Sequence, residues 1–279
     1  TRIQNLEEVI VSSIRVKQNA PIAFTNVSKD ELGKKNLGQD LPILLNSLTS
    51  VVTTSDAGAG VGYTGIRIRG INAQSTNITI NGIPYNDAES LGTFWVDLPD
   101  FASSVENLQL QRGVGTSTNG SSAFGASINI LTNLISKTPY FENSNSIGSY
   151  NTTKNTFKFS TGILNDYFEF SGRLSKIDSD GYIDRSSSDL KSYFLQVNYK
   201  KENTLIKALS FGGHEITYQA WNGIDEETLQ SDRTYNPSGM YIDQSGNIQF
   251  YDNEVDNYKQ DHYQIHWSQI INSRLTSNL

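Results

Sequence analysis

Hydrophobic and polar positions alternate along most of this chain, and the alternating runs come in two lengths. In the first half four short runs repeat with period two: Ile66-Arg67-Ile68-Arg69, Asn77-Ile78-Thr79-Ile80, Asn107-Leu108-Gln109-Leu110-Gln111 and Ser127-Ile128-Asn129-Ile130. Each sets two apolar side chains on one face and polar ones on the other, the pattern of a half-buried strand. Asn81-Gly82 and Asn119-Gly120 supply turns between them, so the runs predict a small sheet. Two helical signals precede it. Ser28-Lys29-Asp30-Glu31 reads as a capping box, whose hydroxyl and carboxylate each satisfy an amide at a helix start. Leu41, Leu44, Leu45 and Leu48 then fall at i, i+3, i+4 and i+7 behind Asp40 as N-cap, which predicts a second helix with one apolar stripe.

After Pro139 the runs lengthen to candidate strands at approximately 139–148, 153–164, 166–178, 188–200, 203–214 and 257–271. Phe157, Phe159 and Ile163 share a face, as do Phe168, Phe170 and Leu174, then Tyr193, Leu195, Val197 and Tyr199, then Tyr263, Ile265, Trp267 and Ile271. Opposite them stand Lys158, Ser160, Glu169, Arg173, Gln196, Asn198, Gln264 and Ser268. Strands of about ten residues, apolar outward and polar inward, are the pattern of a membrane β-barrel. The links agree: short around Asn165 and around Lys201-Glu202-Asn203, long from Asp178 to Asp189 and from His214 to Asp256. The hairpin at Ser149-Tyr150-Asn151 is short although it falls on the long-loop side.

Composition narrows the classes. The 279 residues hold no cysteine, which excludes thiol chemistry and a disulfide scaffold. Lys+Arg 22 against Asp+Glu 29 leaves a net charge of −7, which argues against a nucleic-acid partner, since phosphate binding needs a basic footprint. No run approaches the roughly 18 apolar residues of a membrane helix. A mean hydropathy of −0.43 still suits a barrel, whose apolar face hides in alternate residues. The chain begins at Thr1 and ends at Leu279 in mid-pattern and reads as a fragment or a processed product.

Candidate chemistry is sparse. Gly60-Val61-Gly62-Tyr63-Thr64-Gly65 matches a dinucleotide-binding glycine pattern, but that motif needs a helix after it and a strand follows here. His262 and His266 on a strand lie about 13 Å apart, too far to share a metal ion. Asp178-Ser179-Asp180-Gly181 lacks the bidentate glutamate of a calcium loop. No catalytic constellation stands out, and the expectation is no enzyme, no metal and no cofactor. Leu6 to Ser13 reads either as a first strand or as a peptide that pairs with another protein's sheet edge. Exposed aromatics between Asn81 and Pro99 are either ligand contacts or filling against a neighbouring wall.

Together, Ile66-Arg67-Ile68-Arg69-Gly70, Ile78-Thr79-Ile80-Asn81-Gly82-Ile83-Pro84, Val105-Glu106-Asn107 through Arg112-Gly113, and Gly125-Ala126-Ser127-Ile128-Asn129-Ile130 resemble the plug domain of TonB-dependent outer-membrane receptors. The resemblance implies an α+β plug, a small mixed sheet with short helices, followed by the first six or so strands of an antiparallel transmembrane barrel of roughly 22. It divides the chain into a TonB-box-like segment at 1–13, a plug at 14–135 and the truncated barrel at 136–279. It implies a bacterial outer-membrane location and import of a scarce small-molecule ligand such as a metal chelate: ferric siderophore, haem or cobalamin. It assigns Glu7, Glu8, Val9, Ile10, Val11 and Ser12 to strand addition with the C-terminal domain of TonB, and Arg69 and Arg112 to pairs that lock the plug. Apical loops place Tyr63, Asn72, Gln74, Tyr85, Phe94 and Trp95 at the ligand. Gln-Arg-Gly-Val-Gly after the Val-Glu motif favours the siderophore-type branch over polysaccharide importers. A secreted β-rich carbohydrate-binding or adhesion domain is the alternative.

Overall fold

The computed structural model describes residues 15–16, 20–114, 124–272 and 274–279. The first domain opens with β1 (Phe24–Ser28), α1 (Lys29–Lys35) and α2 (Leu41–Leu44). The capping box forms as the sequence predicts: Ser28 Oγ accepts from the Glu31 amide, and the Glu31 carboxylate accepts from the Ser28 amide. The leucine stripe departs from expectation. Its helix lasts one turn, and Asp40 makes no cap bond; its carboxylate instead accepts from Thr64 Oγ1 at 2.9 Å. Leu41, Leu44 and Leu45 are nonetheless buried.

Next come β2 (Val51–Ser55), β3 (Thr64–Ile68), β4 (Thr76–Ile80), β5 (Ile83–Pro84), β6 (Val105–Arg112) and β7 (Ala126–Thr132). Five strands form a mixed sheet in the order β1-β6-β7-β4-β5, in which β4 and β7 run parallel. β3 is not part of it and, among the described strands, pairs only with β2. The apolar sides converge, since Ile66, Ile68, Ile78, Ile80, Leu108, Leu110, Ile128 and Ile130 enter one core with the α1 and α2 leucines. Each such side chain contributes about 1.5–3 kcal/mol on burial. The opposite face of the sheet is buried too. Thr79 Oγ1 donates to Asn129 Oδ1 at 2.8 Å, and Gln111 donates to Gln109. Arg15 and Val16 cross this face: the Val16 amide donates to Gln109 Oε1 and Arg15 Nη2 to the Asn129 carbonyl. Burial lowers the Arg15 pKa to about 10.

The second domain is a seven-stranded antiparallel wall: β8 (Pro139–Ile147), β9 (Thr153–Thr161), β10 (Phe168–Ser179), β11 (Ser188–Lys201), β12 (Thr204–Tyr218), then β15 (Val255–Asn272) and β16 (Leu275–Asn278). Between β12 and β15 the long loop carries α3 (Glu226–Ser231) and a hairpin of β13 (Met240–Ile242) and β14 (Ile248–Phe250). Six wall strands match the alternating runs, and β16 adds a seventh whose four residues are too few to alternate visibly. The burial is inverted relative to a water-soluble sheet. Phe170, Leu174, Leu195, Tyr263 and Ile265 are exposed, whereas Ser160, Glu169, Arg173, Gln196, Asn198 and Ser268 are buried against the first domain. An exposed apolar wall over a polar interior is what a lipid-facing barrel requires, and it removes the alternative of a secreted soluble domain.

An apolar seam joins the two domains. Phe101 packs against Phe211 and Phe194 of the wall with ring centroids 5.4 and 6.5 Å apart, while Val61 and Val96 meet Ile177 and Leu190. At Gly213 the approach is closest: a Cβ there would lie 2.3 Å from the Asp97 carbonyl oxygen.

Candidate ligand site and plug anchors

A cavity of about 700 Å³ opens at the long-loop end, between the loop that follows β5 and the start of β15. The loop contributes Tyr85, Asp87, Glu89, Phe94 and Asp97; β15 contributes Asp256, Tyr258, Gln260 and His262. Tyr63 closes one side and meets Phe94 edge-to-face at 6.5 Å, and the pair also borders a smaller cavity of about 330 Å³ towards Trp221. The Tyr85 hydroxyl accepts from Gln260 Nε2 at 2.6 Å, and its ring lies 5.2 Å from that of His262.

The glycine loop before β3 sets Tyr63 in place. Gly58, Gly60 and Gly62 take φ of +72°, +77° and +90°, a region that suits glycine. A Cβ on Gly58 would lie 2.9 Å from the Tyr182 ring, and one on Gly62 2.7 Å from Ser188 Oγ. The loop is therefore pressed against the wall, not an open rim.

Carboxylates gather behind Tyr63. Its hydroxyl bonds Asp256 and lies 3.2 Å from Glu215 Oε1. Burial, the Asp256 bond and the neighbouring carboxylates push the Tyr63 hydroxyl well above the usual tyrosine range. Burial raises Asp40 to about 8, opposed by the Thr64 hydrogen bond and aided by Glu215. Burial also raises Asp97 to about 7, with Glu215, Asp256 and Asp87 adding repulsion.

Three of the six expected ligand residues, Tyr63, Tyr85 and Phe94, come together at this cavity. Asn72 and Gln74 are exposed at the turn before β4 and do not line it. Trp95 is a correction: it is 2% exposed and belongs to the domain core, so it supports the loop from beneath. Sequence reasoning missed Asp97, Asp256, Tyr258, Gln260 and His262. The signal for the last four was the parity of β15, since even-numbered positions there face inward with Gln264 and Ser268.

Below the cavity, Asp100 anchors the loop to the wall. Lys154 Nζ lies 2.9 Å and Arg173 Nη1 3.4 Å from its carboxylate, with all three side chains almost fully buried. Thr156 and Ser175 hydroxyls donate to Oδ2, Ser103 and Asn36 to Oδ1. Burial alone would raise the carboxyl, but Arg173 and Lys154 outweigh it and hold the group well below the usual range.

Arg69 and Arg112 lie together at the other end of β6 from Val105. Arg112 Nε donates to the Thr49 carbonyl at 3.0 Å and Nη1 to Thr25 Oγ1 at 2.9 Å, while its buried Nη2 has no acceptor among the described residues. Burial, then the Arg69 charge, lowers the Arg112 pKa. Among the described residues neither arginine makes an ion pair. The segment Glu7–Ser12 lies outside the described residues.

An inside-out antiparallel wall packed against a folded domain, with a cavity at its long-loop end, is the arrangement of part of a plugged membrane barrel. Residues 16–127 match the TonB-dependent receptor plug domain. The first domain is thus similar to this plug domain, and the wall that follows it has the fold of the opening strands of such receptors' barrels. It is 28% identical over 184 residues to the vitamin B12 transporter BtuB of Vibrio vulnificus, covering 64% of this chain and 29% of the relative. It is 23% identical over 258 residues to a probable TonB-dependent siderophore receptor, PirA, of Acinetobacter baumannii, covering 84% and 32%. The ferric-catecholate import receptor Fiu of Escherichia coli superposes with a TM-score of 0.67 at 15% identity, covering 91% of this chain and 37% of that one. The chain thus spans about a third of the length of the relatives it matches. These relatives are receptors and transporters, not enzymes.

Proposed function

We propose that this chain forms the plug and first wall strands of a receptor that imports a scarce chelated ligand, of ferric siderophore, haem or cobalamin type, with energy from the TonB complex. The cavity that joins Tyr63, Tyr85 and Phe94 to the wall carries the reading. It lies at the long-loop end, which faces outward in barrels of this kind, and its volume falls in the range of small-molecule sites. Glu7–Ser12 serves as the strand offered to TonB. Arg69 and Arg112, adjacent like charges with a buried donor unsatisfied among the described residues, await carboxylates from the rest of the barrel.

The test uses the full receptor in outer membranes, with labelled ferric hydroxamate and catecholate chelates and labelled cyanocobalamin as probes. Val9→Pro removes a strand hydrogen bond and should abolish uptake while surface binding persists. Uptake that survives both this substitution and loss of TonB would overturn the reading.

A further inference from the structure

The cavity carries charge of one sign. Asp87, Glu89, Asp97 and Asp256 line it, and among the described residues no lysine or arginine does. Three of these carboxylates are provided for locally. Asp87 accepts from the Glu89 and Ser90 amides, Asp256 takes the Tyr63 hydroxyl, and Glu89 is exposed to water. Asp97 differs. It is 8% exposed and lines the cavity, yet among the described residues its carboxylate has neither a hydrogen-bond donor nor a cation. Its charged neighbours, Glu215, Asp256 and Asp87, are all acidic. Its backbone lies close against the wall, since a Cβ on Gly213 would fall 2.3 Å from its carbonyl oxygen.

A buried carboxylate without a partner is unfavourable in its charged form, and a cation or donor entering the site favours that form. An anionic guest would add like-charge repulsion at close range. Tyr85 and Phe94 border the same space and present aromatic faces that attract cations.

We propose that the ligand is a positively charged chelate whose pendant ammonium or guanidinium group enters this cavity and pairs with Asp97. This deepens the reading above and rests on it. The receptor therefore selects cationic chelates, such as ferric trihydroxamates that keep a free terminal amine, over anionic tricatecholates.

The full receptor is assayed in detergent with three probes: a ferric trihydroxamate bearing a free ammonium, the same chelate N-acetylated, and an anionic ferric tricatecholate. The ammonium form should bind about tenfold or more tighter than its N-acetylated twin, the scale of one charge-assisted contact, and the tricatecholate weakest. Asp97→Asn should collapse the ratio between the first two towards one, and Glu89→Gln at the exposed rim should narrow it only slightly. Heat-modifiable migration of each variant from outer membranes confirms that the barrel has assembled. Equal or tighter binding of the acetylated or anionic chelate overturns the charge selection and leaves the import reading intact. An assembled receptor that binds none of the probes overturns the charge selection. Such a binding result together with uptake that survives both Val9→Pro and loss of TonB overturns both.

Discussion

Replacing Asp100 by Asn removes one negative charge from a buried cluster and exchanges one acceptor oxygen for an NH2. Asp100 sits in the left-handed region at φ 52°, which asparagine tolerates and alanine does not. The amide keeps the size of the carboxyl and an oxygen for the Thr156 and Ser175 hydroxyls, but its NH2 takes the place of Oδ1, which accepts from Asn36 and Ser103. What is lost is the counter-charge to Lys154 and Arg173, both almost fully buried. Removing one partner of a buried ion pair costs about 3–5 kcal/mol. The two cations do not share this cost evenly. Arg173 keeps Ser104 Oγ at 2.8 Å, the Pro99 carbonyl at 3.2 Å and Ser192 Oγ at 3.0 Å. Lys154 keeps only the Asn36 carbonyl at 3.3 Å and Ser103 Oγ at 3.5 Å. A second substitution, Lys154→Met, should therefore restore more stability than Arg173→Met. Thermal unfolding and limited proteolysis of the full receptor in detergent measure both. An Asp100→Asn receptor within about 0.5 kcal/mol of wild type, the scale of an ordinary surface change, would refute the assignment of this cluster as the anchor.

Gly213→Ala should push the loop off the wall, because its Cβ would meet the Asp97 carbonyl at 2.3 Å; raised protease cleavage between residues 84 and 100 would show it. Leu195→Arg or Phe170→Arg on the outer face should block assembly in outer membranes, at about 2–4 kcal/mol near the bilayer midplane; normal assembly would contradict a lipid-facing wall. Arg112→Met should loosen the plug at the other end of β6 from Val105, read as increased uptake of large antibiotics through the full receptor. The ligand-free receptor should grow more stable from pH 8 to pH 5.5. Asp40 and Asp97 hold protons to about 8 and about 7, whereas the unfolded chain releases them near pH 4, so stability falls as pH rises through that window. Glu215, Asp256 and Asp87 face Asp97 and add to the repulsion, and Asp100 stays ionised throughout. A melting temperature that drops on acidification would oppose this.

The sequence displayed the wall more completely than the plug, for a physical reason. A lipid-facing strand exposes its apolar side chains to one uniform medium, so Phe168, Phe170 and Leu174 share one face, interrupted only by Gly172. Plug strands are covered on both faces. Asn129 and Gln109 look like solvent-facing positions, yet Arg15 and Val16 cross over them, and no period in the strands records that crossing. β3 has the same pattern as its neighbours but pairs with β2, because pattern fixes the face and not the partner. At the site, aromatic residues on an irregular loop announced Tyr85 and Phe94. Trp95 has the same chemistry and turns inward, a difference set by one 3₁₀ turn. Asp97 was silent because an aspartate between Val96 and Leu98 reads as an ordinary loop charge until the wall closes over it.

Seven residues, Phe94 to Asp100, connect the cavity to the anchor, and almost every one is held from a different direction. Phe94 edges Tyr63; Trp95 is in the plug core; Val96 packs against Ile177 and Leu190. The Asp97 carbonyl presses on Gly213, the Pro99 carbonyl accepts from Arg173 and Ser192, and Asp100 holds the ion cluster. A segment fixed this way cannot yield to an incoming guest one residue at a time, since moving Asp97 outward would drag Trp95 from the core or Asp100 from its cations. The cavity floor is therefore formed before the ligand arrives. Binding then spends little on ordering this surface, and the free and occupied receptors should share the same backbone from 94 to 100. The same rigidity keeps Asp97 unpaired in the free protein, which makes a cationic guest the readiest way to satisfy it.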